Sequence, residues 1–144
     1  MSHRSRWPPA LALCAAAALS ACGGSHKQPR VIPRPDRVFA AAGTVEKGMA
    51  SWYGPGYDGR RTSCGDRFDQ DDLTAAHPTW ACGTRVRVTL LSSGRSVVVR
   101  INDLFPGHKG RIVDVSRGAA RAIGLLGPGT GEVRLEVVEQ ASTP

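Results

Sequence analysis

The chain has 144 residues, 41% of them hydrophobic, with 17 Gly, 10 Pro and a formal net charge of +7. That leaves room for one small domain rich in tight turns and excludes an architecture of long helices. The basic excess lies mainly outside the candidate domain: residues 48–139 hold twelve Lys or Arg against ten Asp or Glu, and with few aromatics to stack on bases this balance argues against a nucleic-acid groove.

Arg4 and Arg6 precede an alanine-rich apolar run from Pro8 to Leu19, which is too short to span a bilayer and reads as the charged and apolar parts of a secretory signal peptide over residues 1–21. The run ends in Leu19-Ser20-Ala21-Cys22, which resembles the lipobox of bacterial lipoproteins. That resemblance implies that the leader is removed before Cys22, that Cys22 is lipidated, and, because Gly23 follows it, that the protein is sorted to the outer membrane. More than one acyl chain makes such an anchor stable. Residues 22–47 hold Gly23-Gly24-Ser25, Pro29, Pro33, Pro35 and five basic residues with no apolar period. They are expected to form a disordered, solvated tether.

The predicted domain covers residues 48–139. Gly48 to Tyr53 reads as a first strand ended by Gly54-Pro55-Gly56, and Tyr57 to Asp72 is too rich in Gly, Arg and Asp to be a core element. A surface loop of that length inside a compact domain is usually functional. Thr84 to Leu91 alternates Val86, Val88 and Leu90 with Arg85, Arg87 and Thr89, as a half-buried strand does. Ser92-Ser93-Gly94 marks a hairpin turn, and the chain returns through Val97-Val98-Val99, whose continuous apolar character predicts burial on both faces. Ile112 to Val115 is a further short strand. Ser116 offers an N-cap to a short helix along Ala119, Ala120 and Ile123, with Gly124 as its stop. Val133 to Val137 alternates again, and residues 140–144 are expected to be a frayed tail. Around six strands and one short helix in so small a domain predict a closed barrel, because closure removes exposed strand edges.

Of four cysteines, Cys14 falls in the leader and Cys22 in the lipobox, so Cys64 and Cys82 form the remaining pair. In an exported domain such a pair predicts a disulfide. A zinc site would need further ligands at metal-type spacing, and the sequence offers none, so no metal is expected. Asp103 closes an apolar run whose low polarity would favour a carboxyl suited to proton transfer. Trp52 and Tyr53 could offer aromatic faces to a ligand, and Trp52 could equally belong to the core. Asp66 after Gly65 could be no more than a turn former, and His77 before Pro78 a structural hydrogen-bonder. Asp69 and Asp114 fit scaffold roles, Asp114 in a pair with an arginine.

Ala50-Ser51-Trp52-Tyr53-Gly54, Gly59-Arg60-Arg61-Thr62, Phe68-Asp69, Leu73-Thr74-Ala75-Ala76-His77, Gly94 to Asp103 and Gly110 to Ser116 follow one another in an order that resembles the rare lipoprotein A family of septal lytic transglycosylases. The resemblance covers Gly48 to Val138. It implies a mainly β fold, a six-stranded double-psi β-barrel with one short helix. It also implies an enzyme, free of cofactors, that cuts the bond between N-acetylmuramic acid and N-acetylglucosamine in peptidoglycan glycan strands and leaves 1,6-anhydro ends. Asp66, Asp103 and His77 would then be the catalytic residues, and Trp52, Tyr53, Arg61 and Asn102 would bind substrate. The chain carries Gly65-Asp66 where the family has Gly-Glu, and Asp103-Leu104-Phe105-Pro106-Gly107 where it has Asp-Arg-Gly-Pro-Phe. The alternative is a glycan-binding envelope lipoprotein on the same barrel that does not cut. Either would be a monomer in the cell envelope, anchored by lipid and facing the periplasm.

Overall fold

The computed structural model describes residues 37–142 apart from Lys109. The leader, Cys22 and most of the predicted tether lie outside the described residues. Six strands and one helix follow in the order β1 (Val45–Tyr53), β2 (Thr74–Ala76), β3 (Arg85–Leu90), β4 (Ser96–Asp103), β5 (Arg111–Ser116), α1 (Arg117–Ile123) and β6 (Thr130–Glu139). The strands close into a barrel in the spatial order β1-β5-β2-β4-β3-β6. The β1/β5 and β2/β4 pairs are parallel and the others antiparallel.

Alternation places the core. Val86, Val88 and Leu90 of β3 and Val133, Leu135 and Val137 of β6 are buried, each contributing on the order of 1.5–3 kcal/mol. The intervening Arg85 and Arg87 face outward and pair with Glu139 and Glu136 of the neighbouring strand. The β3–β4 hairpin turns through Gly94 at φ 71°, a left-handed conformation that costs glycine nothing. Helix α1 starts at Ser116, whose hydroxyl accepts from the Ala119 N–H at 3.2 Å, and stops at Gly124 in the left-handed conformation. The bare Cα of Gly118 lets the preceding loop lie directly on the helix. A Cβ there would sit 2.2 Å from the carbonyl oxygen of Asp71.

Three boundaries differ from those predicted. Strand β1 begins at Val45, because its first residues are recruited by ladder bonds to β6, with Val45 opposite Glu136 and Lys47 opposite Arg134. Backbone pairing here overrides a stretch without apolar period. Val38 forms a parallel bridge with Trp80 and Ala40 is buried, so residues assigned to the tether pack on the barrel. Ala141 in the predicted tail is buried as well. In the valine run of β4 only Val99 is fully buried, while Val97 and Val98 are half-buried.

Candidate active site

The loop between β1 and β2 is a folded arm. Gly59 N donates to Phe68 O, Phe68 N to Arg60 O, and Thr62 N to Asp66 O, each at 2.8 Å, which makes a hairpin with its tip at residues 62–66. Four ties hold this tip to the barrel. The Ser63 N–H donates to Asp103 Oδ1 at 2.8 Å, Cys64 is bonded to Cys82, Arg100 Nη1 donates to Asp66 Oδ2 at 2.6 Å, and Arg37 Nη2 donates to Ser63 O at 3.2 Å. Arg37 also reaches Cys82 Sγ.

The arm forms one wall of a groove. Two adjoining cavities of about 260 and 310 Å³ share Tyr53, Tyr57, Asp103 and Leu104. The first is completed by Ala76, Phe105, Pro106 and Asp114, the second by Arg60, Arg61, Thr62, Ser63 and Phe68. Tyr53 stacks on Phe68 at 4.5 Å and meets Tyr57 edge-on at 5.8 Å, giving an apolar surface of the kind that receives pyranose faces. The Tyr53 hydroxyl is buried without a partner among the described residues. Burial first, then the charges of Asp103 and Asp114, push its pKa well above the usual phenol value, so it stays a donor.

Asp103 sits where the two cavities meet. Its Oδ1 accepts from the Ser63 and Leu104 N–H groups, both at 2.8 Å, so backbone dipoles surround it in place of the apolar setting expected from the valine run. Asp66 lines a separate cavity of about 90 Å³ with Gly59, Arg61, Gly65 and Arg67, and Arg61 is common to that cavity and the groove. The two predicted carboxylates therefore line different cavities, Asp66 within the arm's tip and Asp103 hydrogen-bonded to that tip at Ser63.

Three predicted site residues sit elsewhere. His77 is 2% exposed, its Nδ1 accepts from the Thr79 and Trp80 N–H groups at 3.3 and 3.1 Å, and its ring stacks on Trp80 at 4.0 Å. Its Nε2 faces Glu46 Oε2 at 3.4 Å. Burial lowers its pKa to about 4, and an imidazole so enclosed does not line the groove. Its link to the site is through the main chain, where His77 N donates to Asp103 O at 3.2 Å. Asn102 is 2% exposed with its Oδ1 unpartnered among the described residues, and Trp52 packs against the core. Neither lines the groove. Among the described residues no cluster of three His, Cys, Asp or Glu side chains is placed to hold a metal ion.

Asp114, read from sequence as scaffold, lines the groove while also pairing with Arg111, Nε to Oδ1 at 3.2 Å. The signal available for it was an acid interrupting the apolar run Ile112-Val113-Asp114-Val115, because a carboxylate placed in such a strand needs a partner or a function. Tyr57 and Phe68 gave no comparable signal.

Comparison with known proteins agrees with this architecture. A family model described as lytic transglycolase matches residues 45–135. The chain is 57% identical over 105 residues to a protein of Synechocystis sp. described as probable endolytic peptidoglycan transglycosylase RlpA, covering 71% of this chain and 33% of that one. It is 48% identical over 101 residues to the endolytic peptidoglycan transglycosylase RlpA of Campylobacter jejuni, covering 70% and 37%. The chain thus spans about a third of the length of these curated relatives. Among solved structures, a Streptomyces papain inhibitor is similar with a TM-score of 0.57 at 22% identity, over 68% of this chain and 97% of that one. An expansin of Clavibacter michiganensis is similar at 0.56 and 25%, over 70% and 54%. These two likenesses concern the barrel. The family match, running from the first residue of β1 into β6, carries more: this chain belongs to the lytic transglycolase family, among its rare lipoprotein A relatives.

Proposed function

We propose that the domain is an endolytic peptidoglycan transglycosylase acting on glycan strands freed of peptide. The observation that carries this reading is Asp103 at the junction of the two groove cavities, beside the Tyr53 and Tyr57 rings and tied to the arm that bears Asp66. In the reaction a proton passes from the acid to the glycosidic oxygen and the C1–O bond breaks. The C6 hydroxyl of the same muramoyl residue bonds to C1, and its proton returns to the carboxylate. No water enters, so the spacing of two carboxylates required of hydrolytic glycosidases does not apply. Asp66 is the donor in this scheme and Asp103 its partner, while His77 positions Asp103 through the main chain and Arg61 binds substrate between the Asp66 cavity and the groove.

A second reading, a glycan-binding protein that does not cut, is favoured by one contact. Asp66 is held by Arg100 at 2.6 Å, and a proton donor must leave that partner before it can act. Incubating the purified protein with peptide-free glycan strands and looking for 1,6-anhydro ends by mass spectrometry separates the two. Product from wild type, lost in Asp66→Asn and Asp103→Asn with binding retained, supports the enzyme, whereas binding without product supports the second reading.

The site of action in this proposal is the cell envelope, with residues 1–21 as leader, Cys22 lipidated, a tether running into the barrel domain, and the protein working as a monomer. Cys22→Ser should move the protein from the membrane to the soluble envelope fraction, and retention in the membrane would overturn the anchor.

A further inference from the structure

The arm carries a like-charge pair. Arg61 and Arg67 are Cα partners across its hairpin, flanked by the bonds from Phe68 N to Arg60 O and from Thr62 N to Asp66 O. Those two bonds enclose the pair without joining it, which is the register in which opposing Cα atoms approach to about 4.5 Å and their side chains lie closest. Both residues are exposed, and among the described residues neither guanidinium is paired with a carboxylate. Like charges directly opposite destabilise a β pair, and an anion between the two guanidinium groups would offset that repulsion.

There is space for one. Arg61 and Arg67 line the cavity of about 90 Å³ together with Asp66 and with Gly59 and Gly65, which add no side chain. Asp66 does not serve as the anion, because its carboxylate is taken by Arg100 at 2.6 Å. The cavity has about a third of the volume of either part of the groove, which is room for a planar charged group and not for a sugar ring. Arg61 lines the groove as well, so the site adjoins whatever glycan the groove holds.

A peptidoglycan strand offers a group of that kind. Each muramoyl residue bears a lactyl ether, which ends in a free carboxylate where the peptide has been removed and in an amide where it remains. We propose that Arg61 and Arg67 form a carboxylate-binding subsite on the arm, one that holds the lactyl group of a muramoyl residue and so tells strands with a free carboxylate from strands without. Two guanidinium forks match a carboxylate in charge and plane, whereas an amide brings a neutral acceptor and an N–H that faces further donors. The subsite rests on the glycan-strand reading of the groove and not on bond cleavage.

The test is calorimetric binding of the purified chain to peptide-free glycan strands and to the same strands with their carboxylates converted to primary amides, which keeps the shape and removes the charge. Wild type should bind the untreated strands about tenfold more tightly at low ionic strength, and added salt should shrink that ratio. Arg67→Gln and Arg61→Gln should each bring the ratio close to one. A purely structural role would weaken both affinities together and leave their ratio as it was. Equal affinity of wild type for the two preparations overturns the proposal, as does a ratio that survives Arg67→Gln, and so does binding to neither. Adsorption to phosphatidylglycerol vesicles that Arg67→Gln abolishes, with no discrimination between the strands, overturns it in favour of a lipid-facing arm. Turnover is read separately: a wild type that discriminates between the strands but forms no anhydro ends loses the enzyme reading and keeps the subsite.

Discussion

Removing the bond between Cys64 and Cys82 tests how the site is held. The two residues are 18 positions apart, and closing a loop of that length stabilises by about 3 kcal/mol in the chain-entropy model. For a domain of this size each kcal/mol moves Tm by about 4–8 °C, so the double variant Cys64→Ser/Cys82→Ser should melt about 12–25 °C lower. The loss should also reach the groove. Without the covalent tie, the arm's tip is left to Ser63 N on Asp103, to Arg37 on Ser63 O and to the exposed Arg100–Asp66 pair. An exposed pair of this kind is worth at most about 1 kcal/mol. Melting followed by circular dichroism, with turnover measured well below the transition, reads both effects. A Tm within about 3 °C of wild type would refute the reasoning, because it would mean that the unfolded chain gains almost no freedom from opening the loop.

His77 gives a pH dependence. Its folded pKa, about 4, lies below the ordinary value of 6.5, so the unfolded chain binds more protons between these values, and stability present above about pH 6.5 is lost toward pH 4, on the order of 3 kcal/mol in all. His77→Gln should flatten that slope in urea melts; Glu46, whose pKa is raised by burial, opposes part of it. Gly118→Ala should destabilise by more than about 2 kcal/mol, through the contact of a new Cβ with the Asp71 carbonyl, and a melt equal to wild type would mean the loop lifts freely from α1. Arg100→Gln should change stability by less than about 1 kcal/mol yet alter turnover, and turnover equal to wild type would remove Asp66 from the reacting set.

The sequence made the β3–β4 hairpin and the capped helix legible, because alternation around Val86, Val88 and Leu90 and the Ser116 and Gly124 caps are local signals. Strand β2 left no such signal. Three residues, Thr74–Ala76, are too few to show a period, and they form a strand only because β4 and β5 lie on either side. The same limit governs the site. Asp103 and Tyr53 were marked by residue type and place, and Arg61 by the family resemblance alone. Whether a neighbouring side chain turns toward the groove or into the barrel depends on register with strands far along the chain. That is why Asn102 and Trp52 turn out packed away, and why Asp114 was read as scaffold alone. His77 was misplaced for a different reason. Its Nδ1 is taken by local N–H donors after Pro78, a use of histidine that residue type does not distinguish from proton transfer.

The ring order of the strands has a consequence for how the molecule comes to exist. Strand β1 lies between β5 and β6, with Val45 opposite Glu136, so the first strand made finds both its neighbours only after nearly the whole domain has been synthesised. Loop closure must be met before those pairings return any stability. Chains dominated by such distant pairings fold slowly, on the order of milliseconds to seconds. A chain shortened before β6 would leave β1 and β3 as open edges, which are templates for pairing with other chains. The last strand is thus the one that turns a sheet with two open edges into a closed barrel.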